Sequence, residues 1–251
     1  MELQAIEQGE GPPLVLLHGL FGQARNFGAL QRRLAAGGRY VLALDLANHG
    51  ASPHAPAINY RSMAADVAES LDVRGVGRAD VMGHSMGGKV AMMLALTHPE
   101  RVGRLLVSDI APVAYPARWD GLVAAMRAIP PGTARAEADA LLAPAEPDPG
   151  VRAFILTNRW PDGSGWRIGL EGIAASLSAI MGWEMPEGAR FEGTSLFVSG
   201  ERSNYIRMED RPVIRAAFPA ARFLTVKGAG HWVHADQPEG FAAVMEGFFP
   251  G

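Results

Sequence analysis

The sequence predicts an α/β fold in which a mostly parallel central sheet is flanked by helices. Two observations support this fold class. Short apolar runs with the composition of buried strands alternate with longer helical patterns, and this alternation is typical of βαβ units. One long stretch, from about Pro112 to Gly193, has no clear strand and carries most of the tryptophans. The chain is therefore expected to combine a parallel sheet with one helical excursion.

Six apolar runs predict the strands of the sheet. Each is short and is followed by a turn or by polar residues, as expected for buried strands that are linked by helical crossovers. In chain order they are Leu14–Leu17, Tyr40–Leu46, Ala79–Met82, Arg104–Ser108, Ser195–Ser199 and Arg222–Val226.

Start and stop signals predict the helices between these strands. Gly37 and Gly38 supply a left-handed stop, Asn59 is a plausible N-cap, and Pro238 lies in a first turn. The predicted helices are Arg25–Ala36, the segment "YRSMAADVAESLDV" after Asn59, Ser85–Thr97, a helix near Ile206–Ala217, and Pro238–Phe249.

The tryptophan-rich stretch lies between two strands of one sheet, so an insertion explains it better than a separate domain. We therefore divide the chain into a core of residues 1–111 and 194–251 and an inserted helical cap of residues 112–193. Residues around Trp160, Trp166 and Trp183 are expected to close over the site and to set the size of ligand that it accepts.

The composition excludes several classes of function. The 251-residue chain has no cysteine, so disulfides, thiol nucleophiles and cysteine-ligated metals are ruled out. A net charge of −3 with scattered arginines gives no support for a nucleic-acid or membrane partner. The first residues lack a signal-peptide pattern, so we expect a soluble, cytoplasmic protein. The sequence does not indicate an oligomeric state.

The stretch "DVMGHSMGGKV" admits two interpretations. Gly83 followed by Gly88-Lys89 resembles the start of a phosphate-binding loop, but such a loop needs Ser or Thr after the lysine, and Val90 cannot ligate magnesium. Gly83-His84-Ser85-Met86-Gly87 matches G-x-S-x-G, a nucleophile elbow between a strand and a helix. Lys89 is then most simply a solvated or packing residue.

Two further motifs favour the elbow. "HGLFG" follows the first predicted strand, where backbone N–H groups form an oxyanion hole; the expected donors are Leu20 and Met86. "GAGHW" follows the last strand and carries His231, the expected general base, with His234 as its rival. The phosphate-loop interpretation leaves both motifs unexplained.

These motifs, in this order, resemble the α/β-hydrolase superfamily. Through "LLHGLFG", "LANHGASP", "GHSMGGKVAM", "VSDIAPV" and "GAGHWVHADQP", the chain is similar more narrowly to the small bacterial YbfF-type esterases. The resemblance implies an α/β-hydrolase fold with a helical cap inserted after the sixth strand. It also implies a hydrolase that acts on acyl esters, with acyl thioesters as a further class of substrate.

The acid that orients His231 departs from the general pattern of the superfamily. Most members carry an Asp in the loop after the penultimate strand, where this chain has Ser203. Asp109, at the end of an earlier strand, emerges at the same edge of the sheet, and the resembling subgroup shares this arrangement. We assign Asp109 as the acid, with Ser203 in support and Glu201 as the alternative.

The expected chemistry is a two-step acyl transfer through a Ser-His-Asp triad and an acyl-enzyme. Carbon–carbon bond hydrolases and cofactor-free lyases use the same residues and remain an alternative. A non-catalytic ligand-binding protein of this fold is the other alternative. No cofactor is expected, and no metal-binding motif is present in the sequence.

Overall fold

Seven strands form one sheet in the computed structural model, which describes residues 1–251. The spatial order is β1-β3-β2-β4-β5-β6-β7; β1 is antiparallel to β3, and all other neighbours are parallel. The strands are β1 (Ala5–Gln8), β2 (Pro13–Leu17), β3 (Tyr40–Leu44), β4 (Ala79–His84), β5 (Val102–Ser108), β6 (Ser195–Gly200) and β7 (Ala221–Val226). The carboxyl ends of six strands thus meet at one edge, where open α/β sheets bind ligands.

Ten α-helices accompany the sheet, four of them in the segment between β5 and β6 and six outside it. They are α1 (Gly28–Ala36), α2 (Tyr60–Val73), α3 (Met86–Thr97), α4 (Asp120–Ala128), α5 (Arg135–Leu142), α6 (Pro149–Ile155), α7 (Leu170–Met181), α8 (Arg211–Ala217), α9 (Val233–Asp236) and α10 (Pro238–Phe248). Leu14 and Leu16 of β2 pack in the core layer of α1 and α10, whereas Val15 and Leu17 pack in the layer of α2 and α3. This alternation follows from the two-residue period of a strand.

The predicted strands and caps are present with small shifts in their limits. Asn59 caps α2 by accepting a hydrogen bond from the N–H of Ser62 at 2.9 Å. Gly38, with φ +87°, supplies the left-handed residue after α1. The antiparallel edge strand β1 was not predicted, because Ala5–Gln8 has no continuous apolar run.

The segment between β5 and β6 holds α4 to α7 and no strand of the sheet. The expectation that the insertion follows the sixth strand was wrong, since it follows the fifth strand of this sheet, β5. The count is lower because a single strand, β1, precedes β2. That residues 112–193 work as one cap unit with these limits stays a prediction. No helix in the structure has the length and apolar character needed to span a bilayer.

Candidate active site

Ser85 lies in a tight turn between β4 and α3, with φ +53° and ψ −120°. A non-glycine residue rarely adopts this conformation, so the turn is strained. Two glycines of this turn are required because no side chain would fit in their place. A Cβ on Gly83 would lie 2.1 Å from the carbonyl oxygen of Gly87. A Cβ on Gly87 would lie 2.3 Å from the carbonyl oxygen of Leu17. The G-x-S-x-G pattern thus presents the serine at the carboxyl edge of the sheet.

His231 lies in the loop between β7 and α9 and contacts Ser85. The hydroxyl of Ser85 donates to Nε2 of His231 at 3.0 Å. On the other side of the ring, Nδ1–H donates to Oδ2 of Asp109 at 2.7 Å. The three side chains therefore form an uninterrupted hydrogen-bonded series from hydroxyl to carboxylate.

Asp109 directly follows β5 and is fully buried, with φ +54°. Its carboxylate accepts two more hydrogen bonds, from the hydroxyl of Ser203 and, at 3.1 Å, from the N–H of Gly200. Glu201 instead accepts a hydrogen bond from the N–H of Gly228 at 2.8 Å and is exposed. The structure thus brings Asp109 to the histidine and Ser203 to the Asp109 carboxylate, and leaves Glu201 at the surface.

The turn after β2 lies against Ser85, since a Cβ on Gly19 would come within 3.3 Å of the serine Cβ. The carbonyl of Gly19 accepts hydrogen bonds from Nδ1–H of His18 at 2.8 Å and from the N–H of Gly22 at 2.9 Å. In a trans peptide the carbonyl and the next N–H point in opposite directions. These bonds therefore fix the direction of the Leu20 N–H, which has no acceptor in the protein.

Met86 is the first residue of α3, so its N–H has no acceptor within the helix. Leu20 and Met86 both line the cavity that contains Ser85. An anion at this point would also be stabilised by the positive end of the helix dipole. The two expected oxyanion donors are therefore brought to one place.

Two buried histidines, both neutral, hydrogen-bond to the backbone around the turn after β2. Nε2 of His18 accepts from the N–H of Leu46 at 3.0 Å, and Nε2 of His49 accepts from the N–H of Phe21 at 3.2 Å. Burial lowers the pKa of His18 to about 4 and that of His49 to about 3. Each ring can therefore accept a hydrogen bond at neutral pH, which a protonated imidazole cannot do.

His84, the variable residue before the serine, was not singled out from the sequence. Its Nε2–H donates to the backbone carbonyl of His231 at 2.9 Å, and burial holds its pKa well below the usual value. It therefore ties the elbow to the loop that carries the proposed base. His234, the rival base, packs on His84 at a centroid distance of 4.8 Å, and the histidine that is hydrogen-bonded to Ser85 is His231.

Tyr205 is a second residue that sequence reasoning missed. Its ring stacks on His231 with 4.0 Å between centroids and 24° between planes. The hydroxyl of Tyr115 donates to the Tyr205 carbonyl at 2.6 Å, and Arg118 donates to the Tyr205 hydroxyl at 3.0 Å. Tyr205 follows Ser203 by two positions in a loop without a recognisable motif, so no pattern in the sequence indicates this contact.

The site opens into a cavity of about 250 Å³. Its walls on the side of the insertion differ from the expected ones: Trp160, Trp166 and Trp183 do not line it. The apolar lining residues from this segment are Trp119, Val151, Phe154, Ile155, Ile180 and Met181. No group of three or more His, Asp or Glu side chains in the structure is arranged to hold a metal ion.

Lys89 does not lie at the surface, as a solvated lysine would; it lines the same cavity and is only 1% exposed. The solvated interpretation was wrong because Lys89 lies one helical turn after Ser85, on the face of α3 that the insertion covers. Its ammonium donates to the carbonyl of Gly182 at 2.7 Å, just beyond the end of α7. Burial lowers the pKa of this lysine to about 7.

Comparison with known proteins finds matches over nearly the whole chain. A model of the alpha/beta hydrolase family matches residues 14–244. Esterase YbfF of Escherichia coli (strain K12) is 37% identical over 238 residues, which are 94% of this chain and 92% of that protein. The sn-1-specific diacylglycerol lipase ABHD11 of Danio rerio is 41% identical over 246 residues, 93% of this chain and 77% of that protein.

Among solved structures, one named "Marine microorganism esterase" has a TM-score of 0.94 and 35% sequence identity to this chain. The match covers 99% of this chain and 100% of that one. The fold, the resemblance to YbfF-type esterases and the match over nearly the whole length agree. The chain belongs to the alpha/beta hydrolase family.

Proposed function

We propose that the protein is a serine hydrolase that cleaves carboxylic esters with Ser85 as nucleophile, His231 as general base and Asp109 as the orienting acid. The observation that carries the proposal is the unbroken hydrogen-bonded series from Ser85 through His231 to Asp109, at 3.0 and 2.7 Å. The named esterase and lipase relatives support the same reaction class. Residues 112–193 act in this proposal as a cap that supplies one wall of the substrate cavity.

In the first step, Nε2 of His231 takes the hydroxyl proton while the oxygen of Ser85 attacks the ester carbonyl. The negative charge that develops on the carbonyl oxygen is stabilised by the N–H groups of Leu20 and Met86. Asp109 holds the ring in the tautomer that accepts this proton and stabilises the imidazolium that results. Ser203 and Gly200 donate to the carboxylate and keep it in place.

In the second step, the protonated His231 donates its proton to the leaving alcohol, which departs and leaves an acyl-enzyme on Ser85. Water then enters, gives a proton to the same imidazole and attacks the acyl carbon. Collapse of this second tetrahedral species returns the proton to Ser85 and releases the acid. The steps use only side chains and backbone groups of this chain.

Acyl thioesters are a second class of substrate for the same machinery. A thiol is more acidic than an alcohol, so its departure needs less proton donation from His231. Hydrolysis of the thioester otherwise follows the same two steps.

The test is hydrolysis of p-nitrophenyl acetate and butyrate, together with covalent labelling by a serine-directed phosphonate. Ser85→Ala should lower kcat by about 10⁵- to 10⁶-fold and abolish labelling, because the nucleophile is removed. Ser178→Ala is the matched control, since Ser178 is exposed on α7 and makes no side-chain hydrogen bond. Persistent labelling of Ser85→Ala would exclude Ser85 as the nucleophile.

A further inference from the structure

Lys89 places a cation inside the same cavity as Ser85. The residue follows Ser85 by one helical turn, and its backbone N–H donates to the Ser85 carbonyl at 3.1 Å. Both side chains line the cavity, and Lys89 is almost wholly buried. A lysine in such a position is rare, since burial of a charge is costly unless the charge is paired.

The surroundings of the ammonium orient it but do not neutralise it. The ammonium donates to the carbonyl of Gly182 at 2.7 Å and, more weakly, to that of Met181 at 3.4 Å, both at the end of α7. The rings of Tyr115 and Tyr60 lie 4.8 and 5.3 Å from Nζ. Carbonyl dipoles and ring faces favour a cation there, but they carry no net charge.

No acidic side chain forms a salt bridge with Lys89, and only burial perturbs its pKa. Nor do the two tyrosines offer free donors to a ligand. The Tyr60 hydroxyl donates to the carbonyl of Ile180, and the Tyr115 hydroxyl donates to that of Tyr205. Beyond the carbonyls at the end of α7, no acceptor in the protein is paired with the ammonium, and the two carboxylates that line the same cavity, Glu146 and Asp148, form no salt bridge with it.

We propose that Lys89 binds a carboxylate at the far end of the acyl group, so that the enzyme prefers monoesters or monothioesters of dicarboxylic acids. The inference rests on the proposed function, because it assumes that the acyl carbonyl is held at Ser85. The cavity wall runs from His231 through Tyr205 and Tyr115 to Lys89, with neighbouring ring centroids 4.0 and 5.1 Å apart. An acyl chain along this wall ends at the ammonium.

The charge decides between acyl groups of equal length. A terminal carboxylate gains a charge-assisted hydrogen bond and supplies the missing counter-charge. A terminal methyl group must pack against an ammonium that it cannot hydrogen-bond, so it gains no such compensation. A difference of about 10- to 100-fold in kcat/KM is expected from one charged hydrogen bond in a buried site.

The experiment compares monomethyl esters of succinate, glutarate and adipate with methyl alkanoates of matched length, followed by acid release. Wild-type protein should favour at least one member of the carboxylate series. Lys89→Met should lose about 10- to 100-fold in kcat/KM on that substrate and keep or gain activity on its neutral partner. Lys227→Met is the matched control, because Lys227 is the only other lysine and is exposed.

Equal losses on both series in Lys89→Met would assign the lysine a purely structural role and overturn the inference. A second measurement does not need the variant: glutarate should inhibit wild-type hydrolysis of p-nitrophenyl butyrate more strongly than pentanoate does. Equal inhibition would also overturn the inference. If wild-type protein hydrolyses no ester and resists phosphonate labelling, the proposed function itself fails.

The pH dependence gives an independent readout in wild-type protein. Burial lowers the pKa of Lys89 to about 7, so the ammonium loses its proton as pH rises above neutrality. Of the groups that face it, Tyr60 and Tyr115 stay neutral because burial raises the pKa of each, and the α7 carbonyls do not titrate. The ratio of kcat/KM for carboxylate over neutral ester should therefore fall between pH 7 and 9, since effects of pH on the catalytic steps that both esters share cancel in this ratio. A constant ratio contradicts the inference.

Discussion

Replacing Asp109 by Asn removes one negative charge and keeps the shape of the side chain. The buried carboxylate accepts at both oxygens: Oδ2 from His231 and Ser203, and Oδ1 from the N–H of Gly200. An amide offers one acceptor and one donor group in their place. In either orientation of the introduced amide, its NH₂ group therefore faces an N–H, and one donor is left without a partner.

The expected cost has two parts. With the amide NH₂ toward His231, the imidazole must adopt the tautomer that carries its proton on Nε2. Nε2 can then no longer accept the proton of Ser85. With the opposite orientation, Gly200 N–H is left unsatisfied, which costs about 1–3 kcal/mol, and the imidazolium lacks a counter-charge. The corresponding change in serine proteases lowers kcat by about 10⁴-fold. We expect about 10³- to 10⁴-fold here, or about 4–5.5 kcal/mol of transition-state stabilisation.

The assay is the steady-state kinetics of p-nitrophenyl butyrate hydrolysis, with circular dichroism and thermal unfolding to verify that Asp109→Asn is folded. Glu201→Gln is the matched control, because it makes the same chemical change in the other candidate acid, which is exposed. Glu201→Gln should stay within about twofold of wild type, as expected for an exposed side chain. A large loss in Glu201→Gln, together with a nearly active folded Asp109→Asn, would refute the reasoning.

Two further predictions concern the strained turn and the buried histidines. Gly87→Ala should lower Tm by several degrees and also lower kcat, because the added Cβ would meet the carbonyl of Leu17. Gly121→Ala is the control, because a Cβ at Gly121 meets open space, and it should lower neither Tm nor kcat. The free energy of unfolding in urea should fall from pH 6.5 towards pH 4, because the unfolded chain takes up protons that buried His18 and His49 resist. For His18, lowering the pKa from 6.5 to about 4 corresponds to about 3 kcal/mol of folding stability, which is fully present above pH 6.5. His18→Gln should therefore flatten the dependence of the unfolding free energy on pH. An unchanged dependence in this variant would contradict the role given to His18.

The parts of the fold that depend on local pattern could be predicted from the sequence. Buried parallel strands such as Leu14–Leu17 are continuous apolar runs, and Gly83 and Gly87 mark a turn that only small residues can form. Because strand ends of a parallel sheet meet at one edge, motifs after β2, β4 and β7 could be expected to lie together. The same rule predicts that Asp109, at the end of β5, lies at this edge.

The parts that depend on packing between distant segments could not be predicted. Nothing near Lys89 in the sequence indicates that α7 covers it, so the sequence could not decide between a solvated and a packing role for this lysine. Tyr205 stacks on His231 across two loops, and Trp119, rather than the three expected tryptophans, lines the cavity. The contacts of Lys89 and Trp119 depend on how the inserted helices lie on the core, and the contact of Tyr205 depends on how two loops of the core meet. No short periodicity in the sequence predicts either arrangement.

The position of the proposed acid, Asp109, is compatible with the geometry of the sheet edge. β5 and β6 are parallel neighbours, about 4.8 Å apart, so a carboxylate after either strand can approach the same imidazole. Asp109 does so from a left-handed conformation that is held by its N–H, which donates to the carbonyl of Val198 at 2.8 Å. A fully buried carboxylate needs donors, and the loop after β6 supplies them from Gly200 and Ser203. Under the proposed function, Ser203 therefore complements an acid that lies one strand away, and we expect the two residues to change together.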